Sequence, residues 1–517
     1  MKKIIYIPLF LLFTVLHSSC EKFLEEYSQS EMIPGTTLDL SYLMAGEAYP
    51  YRVDLDALIN VLSDDVQCNG GQGQDAFVMV TRTARAPYSW TKTMFEDVLN
   101  DGLSDMEISN PWQLFYQRIA GCNVVLDYLP KVSGGEAEKQ HVRGQALAMR
   151  SYYYLYLVNL FGKPYGVAGS NPDTDLAVPL KLEMAVRDKL LTRNTVAEVY
   201  AQIEKDLLEA KELMEAYPQD AGIYKMSPLA VHTLLSRMYL YQGRWDEAIA
   251  AANAGLAIKS SLAQLNGFEK ANGYDKYNNG LNEDINRIYD PAKSSEIIFR
   301  YKPLGATSKI FPSQISPGYS ETLRPPYTPS DELLALYDSR PASENETYIG
   351  DIRPRVYFMY AGYFVFVPVF EVRNDLLYRG GQGGAGLRVA ELYLNRAEAS
   401  IQRYMQSGNV ADRTSALYDI NTLRSSRYDT RQPYVAIDIT DGQDLLAFCR
   451  DERRREFPLE GHRWFDLRRY GMPAISRTYA EEPGVVQTFS LSQGDARYVL
   501  PIPKAVLDKN GLLTQNP

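Results

Sequence analysis

The stretch SPLAVHTLLSRMYLYQGRWDEAIAAANAGLA, residues 227–257, decides the architecture. Apolar residues recur at three- and four-residue spacing on both sides of Gln242-Gly243-Arg244-Trp245, so the segment reads as two helices joined by a turn. Gly243 is placed to end the first helix in the left-handed conformation, and Asp246 and Glu247 open the second where acidic side chains complement the helix dipole. Ala248, Ala251 and Ala252 keep one face small enough for close packing. Such a pair still has apolar outer faces, which it buries only against further pairs.

The segment resembles a tetratricopeptide unit, and the surrounding chain supplies neighbours for it. Residues 111–129 carry Leu114, Ile119, Val125 and Leu126 at helical spacing, and residues 136–160 form a second long helical pattern. Residues 195–214 follow a cap at Asn194 or Thr195 and place Val199, Ile203, Leu207 and Leu213 on one stripe. Residues 387–406 and 413–427 make another pair. The expected fold is therefore mostly α, an irregular α-solenoid of about four tetratricopeptide-like helix pairs supporting a loop-rich, partly β binding subdomain. The scaffold falls mainly in residues 110–260 and 387–470. Segments 63–109 and 260–380 hold most of the Gly, Pro, Asn and Asp, with short β-like runs such as EIIFRY and RVYFMYAGYFVFVPVF. The second insert is too long for a structureless loop in a compact domain, and function concentrates on such loops.

Composition narrows the function. A net charge of −10 opposes a polyanionic partner, because phosphate binding needs a surplus of Lys and Arg on some face. Tyrosines outnumber phenylalanines 38 to 18, which suits half-wet contact surfaces as well as interiors. Residues 1–19 read as a lipoprotein signal peptide: Lys2 and Lys3 precede a 13-residue apolar run at 4–16, too short to span a bilayer. Ser18, Ser19 and Cys20 then supply the small residues and the thiol that lipidation uses, leaving Cys20 as the acylated N-terminus of a mature chain 20–517. Cys68, Cys122 and Cys449 are too widely spaced for a metal motif and read as small buried hydrophobes. With four histidines in all, a His-built zinc site or proton relay has little material.

Several motifs lose to plainer explanations. GQGGAG at 381–386 matches a dinucleotide fingerprint in letters, but no βαβ unit surrounds it. Carboxylate pairs such as Asp64-Asp65, Glu283-Asp284 and Glu452/Glu456 do not by themselves define a glycosidase. The stretch RDERRREFPLEGHRWFDLRRYG, 450–471, sets seven arginines against five carboxylates, a mixture that a DNA-facing patch would avoid. It reads as an internal ion-pair scaffold: Glu452, Glu456, Glu460 and Asp466 neutralise the arginines from within, and the polar stripe Glu391, Asn395 and Glu398 offers partners from outside. Arg453, Arg454, Arg455 and Arg463 are then expected to be buried or paired. The loops carry a different chemistry, with aromatic rings set among Asn, Asp and Lys, which is what a sugar needs: a flat face for its C–H groups and polar partners for its hydroxyls. The candidate ligand-binding residues are Asp65, Asn69, Tyr88, Trp90, Tyr274, Tyr277 and Tyr289. No catalytic residues, metal ligands or cofactor are expected. A structural calcium ion is not readable, because no Asp-x-Asp-x-Asp-Gly loop is present.

Five stretches taken together, ERRREFPLEGHRWFDLRRYG, LRVAELYLNRAEAS, ALAMRSYYYLYLVNLFGKPYG, RMYLYQGRWDEAI and LPIPKAVLDKNGLLTQNP, resemble the SusD/RagB family of outer-membrane nutrient-binding lipoproteins. The resemblance runs from Cys20 to the end in consistent order. It implies a glycan-binding, non-enzymatic lipoprotein held at the outer membrane and facing the cell exterior. It also implies a partner, a SusC-like TonB-dependent transporter, to which the glycan is delivered. The family's strong motifs belong to its scaffold, so ligand identity stays open. A surface glycoside hydrolase, a peptide-binding RagB-type lipoprotein and a protein-binding tetratricopeptide adaptor are the alternatives.

Overall fold

The computed structural model describes residues 33–51, 53–73, 75–185, 190–265, 288, 290–301, 326–338, 350–364, 370–378, 386–430 and 432–517. Its scaffold is a run of helices: α1 (Pro111–Tyr128), α2 (Glu136–Phe161), α3 (Val196–Ala216), α4 (Pro228–Gln242), α5 (Trp245–Ile258), α6 (Val389–Ser407), α7 (Val410–Ser425), α8 (Gly442–Glu456) and α9 (Arg463–Arg469). Each helix from α1 to α7 packs against the next, and α6 also carries α8. The result is the mostly helical, tetratricopeptide-like array that the periodicity predicts.

Local chemistry sets the helix ends. Asn110 accepts from the Gln113 amide and precedes Pro111, whose missing N–H costs nothing in a first turn. Thr195 and Glu198 form a reciprocal capping box at α3. Gly243 stands between α4 and α5 at φ 72°, the left-handed cap that its position predicts. Ala248, Ala251 and Ala252 are buried on α5. One continuous apolar core joins α1–α6 to the N-terminal segments and the end of the chain. A satellite core under α6, α7 and α8 gathers Ile401, Ile420, Leu445 and Cys449. Cys122 and Cys449 are buried as small apolar side chains, whereas Cys68 is half-buried.

Among the described residues the strands form four antiparallel pairs: Val66–Cys68 with Tyr327–Pro329, Ile297–Arg300 with Gly386–Arg388, Phe358–Phe364 with Phe370–Tyr378, and Ile475–Ala480 with Val486–Leu491. The last hairpin keeps unbroken register from Ile475↔Leu491 to Ala480↔Val486. Along its first strand Ile475, Arg477 and Tyr479 point inward and Ser476 and Thr478 outward, the two-residue alternation of a half-buried strand.

The arginine-rich stretch is an ion-pair scaffold organised as three networks. In the first, Arg353, Arg388, Arg424, Arg427 and Arg455 face Glu296, Asp351, Glu452, Glu456 and Glu460, all buried or nearly so. Glu456 accepts from Arg427 and Arg388 at 2.8 Å each and from Arg353 at 3.3 Å. Burial alone would raise its carboxyl, but Arg427, Arg388 and Arg353 hold it at about 2. In the second, Arg453 meets Asp466 at 2.9 Å and Asn395 at 2.8 Å, while Arg469 grips both oxygens of Glu398 at 2.6 Å. In the third, Arg454 reaches Asp65 at 2.6 Å and Arg463 reaches Asp64 at 2.7 Å, which ties the stretch to the N-terminal insert.

Arg453, Arg454, Arg455 and Arg463 are paired as expected, but two details differ. The acids of 450–471 are neutralised largely by arginines outside it, Arg353, Arg388, Arg424 and Arg427. Glu391 pairs with Arg237 of α4 instead of the stretch, at 2.5 Å, and so locks α6 to the quoted helix pair. Arg468 follows a third rule. It is buried and donates to the Gly162 carbonyl at the C-terminal end of α2, where a helix dipole favours a cation.

Candidate functional site

The insert that precedes α1 is built around Arg477. Its inward-facing guanidinium lies 3.8 Å from the ring centroids of both Tyr88 and Trp90. It donates to the carbonyls of Val61 at 3.0 Å, Ser63 at 2.8 Å and Tyr88. Burial pulls this arginine down to about 10 against the opposing influence of Tyr88, Tyr327 and Asp64. Trp90 adopts φ 53° after the short Arg85–Tyr88 helix, and its indole N–H donates to the Leu62 carbonyl at 2.9 Å. The Tyr88 hydroxyl donates to Thr478 at 2.9 Å.

This corrects the ligand assignment made from sequence. Tyr88 and Trp90 are brought together, but both are 0% exposed, with ring faces on the guanidinium, so neither offers a stacking surface to a sugar. Asp65 is likewise buried and ion-paired with Arg454. Burial raises its carboxyl and the adjacent Asp64 adds to the effect, whereas Arg463 and Arg454 hold Asp64 at about 2 against burial. Asn69 donates to Thr328 at 3.0 Å and helps fasten the Val66–Cys68 strand to its partner. Tyr274, Tyr277 and Tyr289 lie outside the described residues, as do Cys20 and residues 381–385 of the glycine run.

Immediately beside this stack the structure opens a concave surface that the sequence reading missed. A cavity of about 610 Å³ is lined by Asp75, Val78, Met79, Arg82, Asn100, Asp101, Gly102 and Glu482. The Asp75–Thr83 helix forms one wall, the turn after the Met94–Asn100 helix another, and the Ile475–Ala480/Val486–Leu491 hairpin contributes Glu482. Gly70 and Gly71 make this possible. A Cβ on Gly70 would sit 2.2 Å from the Ala480 carbonyl oxygen, and one on Gly71 would sit 2.4 Å from that of Glu481, so only glycines let the loop lie against the hairpin. Arg82 donates to Glu481 at 3.0 and 2.6 Å, joining helix to hairpin at the cavity edge. Met79 stands 64% exposed on the wall, an apolar side chain left to solvent among carboxylates and an amide. Burial raises the Asp101 carboxyl, and Asp97 and Glu481 raise it further against Arg82 and Arg85. The cleft thus offers hydroxyl acceptors, an amide and a small apolar face within one concavity, the mixture a saccharide requires.

A second concavity of about 800 Å³ runs between α1, residues 179–183 and the C-terminal segment. Leu180, Leu182, Leu190, Leu191 and Leu513 make its walls more apolar than those of the cleft, with Gln113, Glu183 and Asn510 also on the lining. Among the described residues no group of three or more His, Cys, Asp or Glu side chains is placed to hold a metal ion.

Comparison with known proteins now bears on this arrangement. Residues 22–240 match a SusD-like family described as "Starch-binding associating with outer membrane", and residues 374–517 match the SusD family itself. The chain belongs to the SusD/RagB family. Among curated relatives, one SusD-like protein of Formosa agariphila is 24% identical over 514 residues, covering 90% of each chain. Another from the same organism is 23% identical over 413 residues, covering 72% of this chain and 74% of its own. Among solved structures, a SusD superfamily protein of Bacteroides thetaiotaomicron superposes with a TM-score of 0.62 at 20% identity, covering 93% of this chain and all of that one. A structure described as a SusD-like carbohydrate binding protein from Bacteroides vulgatus gives 0.58 at 21% identity, over 93% and 97%. In this SusD/RagB chain the cleft lies within the segment matched to the starch-binding description, apart from Glu482, which comes from the second matched segment.

The signal that could have found the cleft was partly visible. Asn100-Asp101-Gly102 is a turn signature, and Gly70-Gly71 marks a close approach of backbones. The pairing of residues 70–102 with 481–482 has no local signature.

Proposed function

We propose that this chain captures oligo- or polysaccharide at the cell surface, through the cleft formed by Asp75, Met79, Arg82, Asn100, Asp101 and Glu482, and hands it to a SusC-like TonB-dependent transporter without chemical change. The mature protein is held at the outer membrane by lipid on Cys20 and faces the exterior. No helix among the described residues is long and apolar enough to cross a membrane. The observation that carries the reading is the mixed polar and apolar cleft on a SusD/RagB scaffold. Carboxylates and the Asn100 amide exchange hydrogen bonds with hydroxyls, while Met79 and Val78 cover sugar C–H groups. Such contacts are individually weak, which suits a protein that must release its ligand to a transporter. The capture uses no cofactor.

A glycan array followed by calorimetric titration tests the reading. Wild type is expected to bind at least one polysaccharide, and Asn100→Ala with Met79→Ser is expected to weaken that binding about tenfold or more while leaving the melting temperature close to wild type. Undiminished binding by this double variant would place the site elsewhere. Accumulation of new reducing ends during incubation would replace capture with hydrolysis.

A further inference from the structure

We propose that the cleft admits saccharides free of anionic groups and holds amine-bearing ones most tightly, a selection that rests on the reading of this cleft as the saccharide site. Its charge is one-sided. Asp75, Asp101 and Glu482 line it, and Asp97 and Glu481 act on it from the edge, against the guanidiniums of Arg82 and Arg85. Among the described residues that is five carboxylates to two cations, and both cations are engaged. Arg82 is taken up by Glu481 through two hydrogen bonds. Arg85 donates to Gln487 at 3.2 Å and lies 5.7 Å over the Tyr479 ring. Tyr479 donates in turn to Glu481 at 3.0 Å, which fixes that carboxylate toward Arg82.

An incoming uronate or sulfate would have to share the Arg82 guanidinium with Glu481, and would bring its charge beside Asp75, Asp101 and Glu482 while doing so. A neutral sugar brings hydroxyls that donate to these carboxylates without adding charge. An ammonium group meets carboxylates in a partly enclosed space, where charges are screened less than in bulk water. The chain's overall charge of −10 acts in the same direction on the approach of a polyanion.

The test uses starch, xylan and cellulose oligosaccharides, each in its native, aminoethyl and carboxymethyl form, titrated into the mature protein at low and high ionic strength. On whichever backbone binds, the carboxymethyl form is expected to bind about tenfold or more weakly than the native form and the aminoethyl form more tightly, both gaps closing in salt. Asp101→Asn with Glu482→Gln is expected to narrow both gaps, read as the ratio between forms of one backbone so that a general loss of affinity does not enter, and ratios unchanged from wild type would overturn the selection. Equal or tighter binding of the carboxymethyl form would overturn the selection. If that binding is also lost in Asn100→Ala with Met79→Ser, the cleft remains the saccharide site and only the selection fails. Absence of binding by every form of every backbone would overturn both readings at once.

Discussion

Replacing Glu456 by Gln tests whether the arginine-rich stretch is scaffold. The substitution keeps volume and shape but removes one negative charge from a buried network of five arginines and five carboxylates. Glu456 is fully buried, and three of those arginines, Arg353, Arg388 and Arg427, point at it. Two estimates of the cost agree. Removing one side of a buried ion pair typically destabilises by about 3–5 kcal/mol, because the surviving charge is left without compensation. The carboxyl also sits at about 2 against an ordinary 4.5, a difference worth about 3 kcal/mol. Urea unfolding followed by circular dichroism should therefore show Glu456→Gln lower in stability by about 3 kcal/mol. Adding Arg427→Met, which returns the network to four charges of each sign, should recover part of the loss. Saccharide affinity at a temperature where the variant is folded should match wild type, since the cleft lies elsewhere. A loss below about 0.5 kcal/mol would refute the argument, because it would mean that the network carries no net stabilisation where it is most buried.

Three further outcomes follow from the same physics. Acid should destabilise the protein early: Asp64 and Glu456 both sit at about 2 in the folded chain. The stability they contribute is complete above the unfolded values near 4 and is lost as pH falls toward 2. Urea midpoints measured at intervals from about pH 6 to pH 3 should decline, and a flat profile would contradict the pairing. Gly70→Ala should cost more than about 1 kcal/mol and weaken saccharide binding, because it forces a side chain into φ 82° and against the Ala480 carbonyl; a wild-type melting temperature would show that the loop has room to move. Arg477→Met should strip Val61, Ser63 and Tyr88 of a common donor and Trp90 of its cation, lowering stability by about 3 kcal/mol and changing the near-ultraviolet circular dichroism. An unchanged aromatic spectrum would mean that the stack does not fix these rings.

The scaffold was legible because its determinants are local. Helical spacing, Gly243 as a left-handed cap, Thr195 with Glu198 as a capping box and the alanines of α5 each act within a few residues, and each predicts the helix or turn that forms. The interior role of residues 450–471 was legible from charge balance, but the identity of the partners was not. Arg353, Arg388 and Arg427 reach Glu456 from 103, 68 and 29 residues away, and nothing in their neighbourhoods announces it.

The site was read least well, for a physical reason. Trp90 and Tyr88 sit in a polar, loop-like segment, the usual setting for exposed stacking platforms. Their burial depends on Arg477, a strand residue whose inward direction follows only from the hairpin register. The buried Arg477 guanidinium attracts aromatic faces, and here it consumes the two rings that composition offered to a ligand. The groups left facing the solvent, Met79, Asn100, Asp101 and Glu482, are ordinary in sequence and become a cleft only when residues 70–102 meet 481–482.

The most direct test of the account is hydrogen–deuterium exchange of the mature protein with and without a saturating saccharide identified on the array. Slowed exchange confined to the Asp75–Thr83 helix, the turn at residues 100–102 and the turn at 481–485, with α8 and α9 unchanged, is the predicted result. Protection at the leucine-lined groove of residues 179–183 and 190–191 or within residues 450–471, with none at the cleft, would contradict it.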